Sequence, residues 1–203
     1  MIPHTLLKRI TKLGLLLMLG VSMSACSDSW KEEVQLHDGS KIIVERSQSY
    51  GGGHEIGQRV PIKEHNISFT LPEAHEAITW KTTIGMDSND SSLGLLALDI
   101  VKGVPYIVTS MLGCHAYNKW GRPNPPYVFF KYDGKTWQRI PIEEFPTEIK
   151  AANVVIDMAR YTGILSAEEV KKINGTLQHD VMYLQVFVRE QIKSADIACP
   201  EFE

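Results

Sequence analysis

Two His-Glu dipeptides, His54-Glu55 and His75-Glu76, are the residues of this chain best suited by type to hold a metal or move a proton. A zincin needs His-Glu-x-x-His, so that both histidines share one face of a helix. Gln58 stands four residues after His54 and Thr79 four after His75, and neither motif is completed. A metal-dependent or hydrolytic pocket would need His54, Glu55, His65 and His75 to converge in space. Unlinked histidines on loops and strand edges are ordinarily solvated or hydrogen-bonded, so spacing assigns no metal ligand, no catalytic residue and no cofactor. Carboxylates such as Asp99, Glu143 and Glu144 could serve as an acid/base pair, but their spacing does not separate them from surface charge. The chain has no Gly-x-Ser-x-Gly elbow, no Walker loop and no Gly-x-Gly-x-x-Gly, which weakens the common hydrolase, nucleotide and dinucleotide readings. Gly51, Gly52 and Gly53 lack the preceding strand and following helix of a phosphate loop, and read as a mobile connection.

The segment 113–126 carries the most distinctive side chains, with Cys114, His115, Tyr117, Asn118, Trp120, Arg122 and three prolines. It joins two strands by a longer path than a hairpin requires, and long loops on a rigid sheet often bind. Aromatic and Arg side chains are the usual anchors of protein interfaces. Tyr117, Trp120 and Arg122 are therefore the partner-binding candidates, against the alternative that the aromatics fold back to plug the end of the sheet.

The elements that must position these residues are mainly strands. Val34 and Leu36 alternate with polar neighbours, residues 37–40 read as a turn, and residues 41–46 return, which predicts a hairpin. Ile67, Phe69 and Leu71 alternate strictly, and residues 78–84 form another candidate strand. Residues 93–101, 104–112, 127–132 and 136–142 are separated by turn signals and predict a four-stranded antiparallel meander. Ser166 before Ala167-Glu168-Glu169 is a capping box that opens one short C-terminal helix, with Gly175 as its stop. Residues 154–159 are ambiguous between helix and strand, and residues 181–188 read as a last strand. Residues 132–137 resemble a propeller-blade hairpin, but the chain has neither the length nor the repeat of a propeller. The expectation is an α+β, β-rich domain, an antiparallel meander or sandwich with the helix at one side.

The first 26 residues have a different logic. Lys8, Arg9 and Lys12 precede the apolar stretch 13–21, which is too short to span a bilayer, and Met23-Ser24-Ala25-Cys26 closes it. This segment resembles the lipobox of bacterial lipoprotein precursors, with Met23 where such motifs more often carry Leu. The resemblance implies removal of residues 1–25 as a signal peptide and acylation of Cys26 with palmitate-type chains. Each buried methylene contributes about 0.8 kcal/mol, so two or three chains hold a protein to a membrane durably. Ser27, rather than Asp, at the next position resembles the sorting pattern for a Gram-negative outer membrane, with the domain facing the periplasm. Residues 26–29 are then a very short tether, and residues 30–203 a single domain.

The leader holds three of the 21 basic residues and none of the 24 acidic ones, leaving 18 against 24 and a formal charge of −6. Such a domain has no electrostatic footprint for nucleic acid or anionic lipid, so membrane attachment falls to the lipid. With Cys26 acylated, Cys114 and Cys199 remain in a compartment that permits disulfides, and are expected to pair. On the loop-entropy model this cross-link would contribute up to about 4.5 kcal/mol. The mature part resembles bacterial envelope lipoproteins in general, a likeness that brings no catalytic residues with it. The leading expectation is a lipid-anchored binding or assembly module with an envelope protein partner. The alternative is a periplasmic hydrolase or metal-dependent enzyme built on the histidines.

Overall fold

The computed structural model describes residues 27–71, 77–87, 89–156, 159–177, 186–193 and 199–201. Cys26, His75, Glu76 and most of the strand expected over 181–188 lie outside them. Strands β1 (Ser27–Gln35), β2 (Lys41–Tyr50), β3 (Ile62–Thr70) and β4 (Ala77–Thr83) pair antiparallel in sequence order. A two-residue strand, β9 (Ile164–Leu165), adds to the other side of β1 in parallel, giving a first sheet ordered β4-β3-β2-β1-β9. The second sheet is the expected meander of β5 (Leu93–Val101), β6 (Val104–Met111), β7 (Val128–Tyr132) and β8 (Trp137–Ile140). Two α-helices are described, α1 (Cys114–Lys119) and α2 (Ala167–Thr176), with a single 3-10 turn at Ile142–Glu144. The fold is β-rich α+β with one short C-terminal helix.

Several boundaries differ from the sequence-based expectations. Residues 27–29, read as tether, are the first residues of β1, paired with Ser49, Gln48 and Ser47. The segment 113–126 is not a bare loop, because α1 occupies its first half. Residues 154–156 are neither helix nor strand, and Val186 forms only an isolated bridge with Ala151. The capping box at Ser166 and Glu169 is present, but Gly175 lies inside α2, which ends at Thr176.

The two sheets bury themselves differently. In β1 to β4 alternate residues point inward, so Val34, Val44, Ile67, Phe69, Ile78 and Trp80 join Leu93, Leu95, Leu98, Ile107 and Val128 of the second sheet in one core. The outward residues of β1 to β4 are mostly polar, with Ile43 an exposed exception, the pattern of a sheet with one wet face. The second sheet is covered on both faces. A bulge between Leu95 and Ala97 breaks the alternation of β5. Leu96, Ala97, Val101, Tyr106, Val108 and Phe129 face a separate core closed by Phe145, Ile149 and Phe187. The described segment 142–156, with Phe187, therefore acts as a third layer made largely of irregular chain.

Cys114 and Cys199 are disulfide-bonded across 85 residues, which ties the C-terminal tail to α1. Among the described residues, no helix is long and apolar enough to cross a membrane.

Candidate functional site

At the end of the sheets that carries the β1–β2 turn, a cleft of about 450 Å³ opens between that turn, the segment 148–153 and α2. Its walls include Leu36, Ile149 and Val170, and its rim carries His37, Lys150 and Lys171. Two asparagines build it. Asn153 accepts from Leu98 N at 3.0 Å and donates to the carbonyls of Leu98 and Gln35 at 2.7 and 3.0 Å, standing in for a strand along the edge of β5. Asn174, buried on the inner face of α2, donates to Val154 O at 2.8 Å and accepts from Ile156 N at 3.1 Å. These side chains satisfy backbone groups that irregular chain would otherwise leave unpaired.

His37 is the one rim residue with a fixed ring. Its Nδ1–H donates to Asp99 Oδ1 at 2.7 Å, and its backbone N–H donates to Asp99 Oδ2 at 2.9 Å. Ile100 N also donates to Asp99 Oδ1, at 2.7 Å. Asp99 is 3% exposed, so its carboxylate is held by three donors in a nearly dry position. The hydrogen bond to Asp99 raises the His37 pKa above the ordinary histidine value, against some burial and with help from Asp38 and Glu148. A carboxylate on Nδ1 orients the imidazole and leaves Nε2 as the ring atom for chemistry, the arrangement of a general base or a hydrogen-bonding anchor. The described lining has no Ser, Thr or Cys, so a base here would act on water or on the ligand itself.

Neither described histidine of the sequence-based set, His65 or His54, lies in this cleft. His65 is buried on the inner face of β3, where Arg46 donates Nε–H and Nη2–H to its Nε2 at 3.1 and 2.7 Å. Arginine can only donate, which places the His65 proton on Nδ1. The other side of Arg46 meets Glu32 at 3.1 and 3.2 Å, and Glu32 also accepts from Trp30 Nε1 at 2.6 Å and Val155 N at 3.1 Å. Burial, with the Arg46 charge beside it, holds the His65 pKa well below the ordinary value. This network is a closed, charge-compensated part of the core. His54 sits in the exposed connection after β2, bonded to Gly52 O, and does not join His65. Among the described residues, no group of three His, Cys, Asp or Glu side chains is placed to hold a metal ion.

The partner-binding candidates of the 113–126 segment are engaged within the fold. Trp120 packs edge-on to Phe130 at 6.1 Å, donates Nε1–H to Ser91 O at 2.8 Å and lies under the Arg139 guanidinium. Tyr117 is buried beneath Arg122, whose guanidinium donates to the carbonyls of Cys199 and Pro200 at 3.0 and 3.3 Å. Arg122 and the disulfide therefore clamp the same short stretch of tail. Pro123 and Pro125 line a second cavity of about 460 Å³, rimmed by Arg139 and Glu143.

Sequence parity already pointed to the buried network, since Glu32 shares its phase with Val34 and Leu36, Arg46 with Val44, and His65 with Ile67 and Phe69. No comparable signal joins His37 to Asp99, which lie 62 residues apart. The chain matches no family model, no curated protein and no solved structure.

Proposed function

We propose that this protein is a lipid-anchored component of the bacterial envelope whose domain is a binding module, with the cleft around His37 as its ligand site. The cleft carries this reading: apolar walls pinned by Asn153 and Asn174 surround a rim whose imidazole is pre-oriented by a buried carboxylate. Binding sites combine apolar lining with a few fixed polar groups, because prior ordering lowers the entropic cost of association. The 113–126 segment is a weaker candidate, since Tyr117 and Trp120 spend their surfaces on internal contacts. With Cys26 as the anchor, attachment is at the opposite end of β1 from the cleft, leaving the cleft open to the periplasm.

The anchor is tested by Cys26→Ser, which should abolish incorporation of labelled palmitate and membrane retention. Unchanged labelling would remove the anchor. Outer-membrane fractionation of the native chain tests the sorting expectation from Ser27. The cleft is tested with an isotope-labelled, secreted Cys26→Ser protein titrated with fractions of soluble envelope extract. Amide shifts should gather on Leu36, Ala151 and Val170 and disappear in Ala151→Trp, which fills the cleft. Shifts gathered on residues 117–126 would return the site to that segment.

A second reading, a hydrolase in which His37 activates water, is favoured by one observation, the Asp99–His37 pair at the mouth of a cleft. His37→Gln separates the two readings. It would abolish turnover of a bound ester or amide while leaving much of the binding in place.

A further inference from the structure

The end of the domain opposite the cleft has its own chemistry. Ser27, Ser49, Glu64 and Thr83 are register partners and form one row across β1 to β4. Beyond that row project the connection 51–61, between β2 and β3, and the connection after β4. The first is closed by Gly51 N–H donating to Pro61 O at 3.0 Å and turns back where Gln58 N–H donates to Glu55 O at 3.0 Å. Gly57, at φ 91°, supplies the left-handed position of that turn and puts Ile56 at its tip. Ile56 has no protein cover at all, with a relative exposure of 107%, and Met86, three residues beyond β4, is 75% exposed. Single exposed hydrophobics are ordinary on a protein surface. These two differ in standing on two connections that leave the same end of one sheet, Ile56 within the Glu55–Gln58 turn and Met86 beside the Asp87–Asp90 turn.

That end is also where the chain enters. Ser27 is already paired in β1, so Cys26 is one Cα step of about 3.8 Å from the sheet. An anchor with so little slack holds the Ser27 row at the bilayer surface. Ile56 lies five residues past Gly51, a reach of up to about 17 Å if extended. We infer that Ile56 and Met86 dip into the interfacial layer of the membrane that holds the lipid on Cys26, fixing the domain upright with its cleft facing away. This inference rests on the lipid-anchor reading of Cys26. The neighbouring charges are mixed, Arg59 and Lys63 against Glu55 and Asp87, so the contact is apolar and should not need anionic lipid.

Position-specific photocrosslinking tests the orientation on the acylated, full mature chain. p-Benzoylphenylalanine is placed in turn at Ile56, Met86, Ile43 and Lys102, and the protein is reconstituted into phosphatidylethanolamine–phosphatidylglycerol vesicles with tritiated acyl chains. Ile43 is an exposed residue on the outer face of β2, and Lys102 lies in the β5–β6 turn at the far end. Positions 56 and 86 should give on the order of tenfold more lipid adduct than 43 and 102, and the ratio should persist in vesicles without phosphatidylglycerol. Co-sedimentation with equal adduct at all four positions would overturn the orientation while leaving the anchor intact. A mature chain that carries no acyl group and stays in the supernatant would overturn the anchor, and the orientation with it.

Discussion

His37 and His65 carry the same ring, and the fold pushes them in opposite directions. His37 is part-exposed at the mouth of a cleft, and its partner is the anionic, buried Asp99. His65 is enclosed in the inner face of a sheet, and its partner is the cationic Arg46. A carboxylate stabilises the imidazolium, whereas burial beside a guanidinium excludes it. The first arrangement leaves an open ring nitrogen beside an accessible space. The second spends its ring on satisfying Arg46, as a buried charge requires if it is not to destabilise the core. Histidine content therefore says little about where chemistry is possible; the sign and burial of the partner decide it.

The strongest way to break this contrast is Arg46→Met, which leaves Glu32 as an unpaired charge in the core. It should cost about 3–5 kcal/mol of folding stability by urea unfolding. Adding Glu32→Gln should recover part of the loss, because it removes the unpaired charge while its single amide oxygen still accepts from either Trp30 or Val155. An Arg46→Met protein within 1 kcal/mol of the parent, on the order of the value of an exposed pair, would show that the network is not closed to water.

Asp99→Asn should cost less, about 1.5–3 kcal/mol, the range for hydrogen bonds to a charged group. It should also return the His37 titration, followed by NMR, toward the ordinary value. A His37 pKa unchanged in Asp99→Asn would mean that Asp99 anchors the turn without governing the ring.

The pH dependence sharpens the comparison further, because the two histidines contribute with opposite sign. The folded pKa of His37 is raised, so its contribution is fully present below the unfolded value of about 6.5 and is lost as pH rises through the folded pKa. The folded pKa of His65 is lowered, so the unfolded chain takes up a proton that the native chain refuses, and stability falls as pH drops below about 6.5. The stability advantage of the parent over His37→Gln should be larger in mildly acidic than in mildly alkaline buffer. Relative to His65→Gln, which keeps an acceptor for Arg46, the parent should lose ground on acidification. Parallel pH profiles for the parent and both variants would refute the assignment of opposite environments.

The smallest expected effect is at His54, the other described histidine of the sequence-based candidates. His54→Ala, on an exposed connection, should change stability by no more than about 0.5 kcal/mol at any pH, measured by thermal unfolding.

Much of the scaffold was legible because its signals are local. Alternation marked β1 and β3, turn residues set off β2 and separated β5 to β8, and the Ser166 capping box opened α2 where a Ser, followed three residues later by a Glu, could satisfy the first turn. The Cys114–Cys199 bond followed from counting the thiols left over. Alternation also dictates that Glu32, Arg46 and His65 share the core face of their strands, so a buried network was implicit in side-chain parity. Parity does not say what covers such a face, and here it is the irregular chain around Val155 that closes over Glu32. The bulge at Leu95–Ala97, which shifts the side-chain phase along β5, has no local signature. The cleft depends on Asn153 and Asn174, whose amides find their backbone partners only after the third layer has folded over the second sheet. His37 meets Asp99 across 62 residues. Periodicity and capping are properties of neighbouring residues and can be read from order alone. Whether a histidine meets a carboxylate or a guanidinium, in a cleft or in a core, is settled by contacts between distant segments, and only the tertiary structure decides it.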